Sequence, residues 1–257
     1  MPGDGSNGMT DIYLELGKKL VFASAILWPG WSRSGKTEEA ALEILGATAA
    51  RFAVIAKAGR IPFEVETAGK FNVVELLKGS ASTDFGVPDV ISNSDKAPLK
   101  GRDAERFAAL LQASWTAFEQ VVAGAPASLR KGPRGGGRDR DQIVEHVLGA
   151  EDMYARKLGL RIKDPRERRR AILDAVRTGS TVTPEKGWPI RYAVRRTAWH
   201  VIDHAWEIED RSGTDAIPAD RRIASRGGHA ERGHRRFGEL VKKERRRKRS
   251  RPRSQSD

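Results

Sequence analysis

The chain of 257 residues contains no cysteine. Disulfide frameworks, thiolate zinc sites and cysteine nucleophiles are therefore excluded, and any metal must be held by His, Asp or Glu. Long apolar runs are missing too. No stretch approaches the roughly 20 apolar residues that a membrane-spanning helix requires. The opening Met1-Pro2-Gly3-Asp4-Gly5-Ser6-Asn7-Gly8 lacks the basic and apolar regions of a secretory signal. The chain reads as cytoplasmic, with no membrane partner. Hydrophobic residues make up only 39 % and charged residues 32 %, so part of the chain is more polar than a packed domain.

Basic residues are abundant, giving a net charge of +13, but they are unevenly spread. From Arg221 to Asp257 there are 15 Lys/Arg against 4 Asp/Glu, which leaves only +2 for residues 1–220. The basic character belongs to a tail. Residues 213–257 are rich in Arg, Gly and Ser and poor in large apolar residues, and they end in Arg245-Arg246-Arg247-Lys248-Arg249. Such a segment buries too little surface to offset its ordering entropy and is expected to be mostly disordered. It would add weak, salt-sensitive and sequence-independent contact with nucleic acid, without a base-reading fold. His229 and His234 in this tail read as solvated.

Residues 1–95 carry an α+β pattern. Ile12–Gly17 and Lys19–Ile26 read as strands around a turn at Gly17-Lys18. Trp28-Pro29-Gly30-Trp31 breaks the pattern, and both tryptophans read as core or junction residues. Thr37 reads as the N-cap of a helix reaching about Lys57, with Glu38 and Glu39 suited to its positive end. Ile61–Glu66 and Phe71–Leu77 read as two further strands, and Gly79 to Leu99 as a long connection. Beyond Gly101 the period becomes 3.6. Helices are expected at Asp103–Ala123, Asp141–Leu158, Pro165–Thr178 and from Pro189 to about Arg211. Four amphipathic helices over residues 100–212 argue for an all-α four-helix bundle.

The chemistry concentrates in the last of these helices. Trp199-His200-Val201-Ile202-Asp203-His204-Ala205-Trp206-Glu207 carries two of the five histidines four residues apart. Such a pair shares one helix face and can bind one metal ion. His146 falls on the apolar stripe of the second helix, between Ile143, Val147 and Ala150. Three histidines meeting at one point would leave an ion with an open position, as catalysis requires. The alternative is three partly buried histidines bonded to backbone or carboxylates. Asp203 and Glu207, one helical step away, are the candidates for orienting the ligands or moving a proton. Arg195 and Arg196 read as a solvated helix face; the alternative is that they hold the carboxylate of a small thiol.

One His on the second helix (Asp141-Gln142-Ile143-Val144-Glu145-His146) and His200-x-x-x-His204 on the fourth, within a four-helix bundle, resemble the DinB superfamily. The resemblance covers roughly residues 100–212. It implies a mononuclear divalent metal, zinc or nickel, at His146, His200 and His204, frequently in a homodimer. It also implies, for some members, transfer or isomerisation dependent on a low-molecular-weight thiol acting on a small-molecule substrate. A water in place of the thiol would make the same site a hydrolase.

Gly30-Trp31-Ser32-Arg33-Ser34-Gly35-Lys36-Thr37 matches the P-loop pattern of nucleotide-binding proteins. The chain supplies no multi-stranded parallel sheet to carry one, and Glu38 and Glu39 stand where phosphate charge would gather. The stretch Phe22 to Ala40 is instead similar to the HicB fold, with Gly35 and Thr37 as turn and cap. HicB proteins bind a toxin partner and often carry a separate DNA-binding domain. A bundle follows here, so only the fold carries over. The readings, in order, are a metal-dependent transferase or hydrolase, a non-catalytic scaffold whose HicB-like module contacts a protein or nucleic-acid partner, and, remotely, a P-loop nucleotide binder at Gly30–Thr37.

Overall fold

A computed structural model describes residues 8–132, 136–179 and 187–212. The basic tail lies outside these residues, and with it His229 and His234. An N-terminal mixed sheet is followed by helices. Strands β1 (Thr10–Leu16), β2 (Val21–Ala25), β3 (Ser32–Gly35) and β4 (Phe71–Lys78) lie in the order β3-β2-β1-β4. β1 pairs antiparallel with β2 and parallel with β4, with a bulge opposite Ile12 and Tyr13. A parallel neighbour needs a crossover. Helices α1 (Glu38–Ala47), α2 (Ala49–Ala58) and α3 (Val65–Ala68) supply it.

Side chains alternate along β1. Ile12 and Leu14 enter the main apolar core. Tyr13 and Glu15 point the other way: Tyr13 meets Arg195, and Glu15 accepts hydrogen bonds from Thr83 Oγ1 and the amides of Asp89 and Val90. Burial pushes the Glu15 carboxyl above its usual range against those bonds. Glu15 thereby fixes the connection between β4 and the helical segment. That connection contains the short helix α4 (Asn93–Lys96), opened by a capping box between Ser92 and Asp95.

Thr37 caps α1 as expected, its hydroxyl accepting from Ala40 N at 3.2 Å. The helix expected to run to Lys57 is divided at Thr48. The Trp31 indole donates to both the Leu45 carbonyl and Thr48 Oγ1 at 3.1 Å, and Thr48 Oγ1 donates to the same carbonyl. A ring from the preceding turn thus occupies acceptors at the junction. The expected strand Ile61–Glu66 does not form, and α3 overlaps its end. Pro62 lacks a ladder donor, and Phe63 is committed to an aromatic cluster with Trp28, Trp31 and Phe52.

Four longer helices follow: α5 (Gly101–Gly124), α6 (Arg140–Lys157), α7 (Pro165–Thr178) and α8 (Ile190–Ser212). Each lies within two residues of its expected bounds. Asp139 and Gln142 form a capping box on α6; Asp164 caps α7 with Pro165 in its first turn. α5 and α6 both pack against α7 and α8, α2 lies on α5, and α4 lies on α8. One apolar cluster runs from Ile12 through Phe107 and Val147 to Ile208. α8 is buried continuously from Tyr192 to Ile202. A helix buried all round lies between layers: Phe22 of β2 packs edge-on against Trp199, while His200 faces α6.

No helix among the described residues is long and apolar enough to cross a membrane.

Candidate metal centre

His146 sits at the middle of α6, and His200 and His204 on successive turns of α8. One ligand nitrogen from each ring lies within 4.8 Å of the other two. His200 Nε2 and His146 Nε2 are 3.1 Å apart. The ring centroids form a near-equilateral triangle with sides of 5.0, 5.0 and 4.7 Å. Zinc–nitrogen bonds of about 2.0–2.1 Å in a tetrahedral arrangement set neighbouring nitrogens about 3.3 Å apart. The three rings fit that spacing with small adjustments, and they are positioned to bind one metal ion.

Burial disfavours the charged form of His146. His204 is wholly buried, His200 nearly so and His146 half-buried. Desolvation, assisted by His204 and Arg138, holds the His146 pKa down at about 3 against the pull of Glu207. An uncharged imidazole is the form that ligates.

Glu207 supports the centre. Its Oε2 is 2.7 Å from His204 Nδ1, and its Oε1 accepts from Arg211 Nη1 at 2.6 Å. Burial pushes this carboxyl up, but the hydrogen bonds from His204 and Arg211 and the charge of Arg211 outweigh it and hold the group below its usual range. An ionised carboxylate only accepts, so Nδ1 carries the proton and Nε2 is left with its lone pair. Arg211 also donates to the Arg130 carbonyl, while the Arg130 amide bonds to the Arg211 carbonyl, fixing this end of α8.

Asp203 points toward the sheet. Arg33 of β3 bonds its Oδ1 at 3.2 Å, and burial raises its pKa against that attraction. Arg33 in turn stacks over Trp206, 4.0 Å from the ring centroid. Asp203 thus joins the two segments beside the centre.

Three residues in the surroundings were not legible from spacing alone. Tyr154 lies two turns beyond His146 on α6, its ring 5.8 Å from His200 and edge-on to it. Arg195 and Arg196 are not a solvated face: both are 3 % exposed. Arg195 is held by a fork of bonds to Asp95 at 3.1 and 2.6 Å. α4 carries that carboxylate from far along the chain, which is why helix periodicity misses it.

The Gly30–Thr37 stretch is extended strand and helix cap, not a loop around an anion. Ser32 to Gly35 pair in register with Ser24 to Val21. Gly30 has φ +96°, and a Cβ there would lie 2.5 Å from Ile202 Cδ1. Its role is the close approach of this turn to α8. Trp31 is core, stacked on Phe52, and Trp28 lies under Arg106 of α5, 3.8 Å away, at the junction.

Comparison of the chain with family models, curated proteins and solved structures gives no match.

Proposed function

We propose that the chain is a metal-dependent enzyme of the DinB type, with α5 to α8 forming its four-helix bundle and a HicB-like module bracing α8. It acts on a small molecule by thiol-dependent transfer or by hydrolysis. The observation that carries this reading is the convergence of His146, His200 and His204, from two helices, on one buried point. Zinc or nickel suits three neutral imidazoles. When bound, such an ion supplies Lewis acidity and an open position where a water or small thiol gives up its proton.

The chain's own residues prepare for this. Glu207 fixes the tautomer and angle of the His204 ring. Tyr154 limits the freedom of His200 from the α6 side. Arg33 holds Asp203 where its carboxylate adds negative field beside the rings without occupying them.

Elemental analysis of the purified chain tests the reading. About one equivalent of metal per chain, lost in His200→Ala, is the expected result. A chain that folds normally and holds no metal after incubation with zinc or nickel overturns it and leaves the scaffold reading.

A further inference from the structure

Among the described residues three arginines are buried: Arg168, Arg195 and Arg196. Arg168 donates to the carbonyls of Ile162, Lys163 and Leu148. Arg195 is neutralised by Asp95. Among the described residues Arg196 makes no ion pair, feeling Asp203 only at longer range, and its Nε and Nη1 have no hydrogen-bond partner. A buried cation without an acceptor is costly and is retained only where something repays the cost.

Its place in the fold says what that is. Arg196 is one turn before His200, so Arg196, His200 and His204 form one row on α8. Its guanidinium lies 4.8 Å from the Trp199 ring centroid and 5.5 Å from that of Tyr154. Those same rings flank His200, at 6.2 and 5.8 Å. The cation is therefore held by aromatic walls shared with the metal ligands, with donors left over.

We infer that Arg196 is the binding residue for a carboxylate on the small molecule whose reacting atom sits at the three-histidine centre. A guanidinium presents paired N–H donors that match a carboxylate, and one unit of positive charge balances one carboxylate. The substrate or its thiol is thus a short carboxylic acid, oriented by Arg196 so that its far end reaches the row of histidines. This rests on the metal reading above.

The test uses the full chain loaded with cobalt(II), titrated with 3-mercaptopropionate and, separately, with 2-mercaptoethanol. Thiolate binding is read from the sulfur-to-cobalt absorption in the near ultraviolet. A charge-assisted bond predicts a preference of about tenfold or more for the acid in the wild type. Arg196→Met should erase that preference while leaving cobalt stoichiometry and 2-mercaptoethanol affinity unchanged; Arg196→Lys should keep part of it. Comparing the ratio between wild type and variant cancels the differing basicity of the two thiols. Cobalt uptake with no preference for the acid in the wild type, no thiol band at all, or a preference that survives in Arg196→Met each overturns the assignment of Arg196 alone. Failure to take up cobalt overturns the metal reading instead, so the two failures are distinct.

Discussion

His204 and Glu207 act as one unit: the imidazole Nδ1–H donates a hydrogen bond to the carboxylate across 2.7 Å, one turn along α8. The ring angle is then set by a group that is itself held by Arg211. Glu207→Gln is expected to weaken metal binding about 10- to 100-fold, because the ring loses its anionic anchor. Competition with a chromophoric chelator measures this. Unchanged affinity would show that His204 needs no such partner.

Metal and stability should be linked. An ion that binds only the folded chain adds about 2.7 kcal/mol when its free concentration is 100 times Kd. Adding a strong chelator to the wild type should lower Tm, and His200→Ala should melt at one temperature with or without it. A wild-type Tm indifferent to chelator argues that no ion contributes.

The metal-free chain should lose stability in weak acid. Burial holds the His146 pKa at about 3 in the folded chain, against an ordinary imidazole value of 6.5 when unfolded. Between those values the unfolded chain takes up a proton that the folded chain does not, so stability falls as pH drops from 6.5 toward 3. Glu15 and Asp203, raised by burial, oppose this above the ordinary carboxylate range. The difference in Tm between wild type and His146→Gln should therefore change with pH below 6.5, because both chains share those carboxylates and their contribution cancels. A pH-independent difference would contradict the neutral-imidazole account.

Arg195 and Arg196, neighbours in sequence, should respond oppositely to loss of a partner or of charge. Asp95→Ala strands Arg195 as an uncompensated buried cation and should cost about 3–5 kcal/mol in urea unfolding. Arg196→Met removes a buried cation that makes no ion pair among the described residues and should leave stability unchanged or higher. A large destabilisation by Arg196→Met would mark it as structural.

Gly30→Ala probes the seam between sheet and α8. The backbone there has φ +96°, and the new methyl would press on Ile202 and Ala198. Strain and crowding together should cost about 1–3 kcal/mol. Thermal unfolding checks it, and a neutral substitution would mean the turn yields easily.

The parts of this molecule that sequence disclosed were those set by short-range rules. His200 and His204 are legible because four residues is one helical step, and His146 because it interrupts an apolar stripe. Thr37, Asp164 and Pro165 announce helix starts through local bonding. What escaped was decided at a distance. The division at Thr48 depends on the Trp31 indole, and the burial of Arg195 on Asp95, a hundred residues away. The strand-like Ile61–Glu66 stretch failed because its Phe63 served an aromatic cluster and Phe71–Lys78 took the place beside β1. The P-loop pattern is a decoy, as the lack of a multi-stranded parallel sheet implied: Gly30 is needed for proximity to a helix, not to phosphate.

The edge-on contact of Phe22 with Trp199 has a practical meaning for anyone dissecting this chain. Cutting near residue 95 would wet an indole and a phenyl ring that now shield each other, alongside Tyr13 and the Arg195 it covers. Fragments made that way should come out sticky, and the helical piece would lose the backing that keeps His200 turned toward His146.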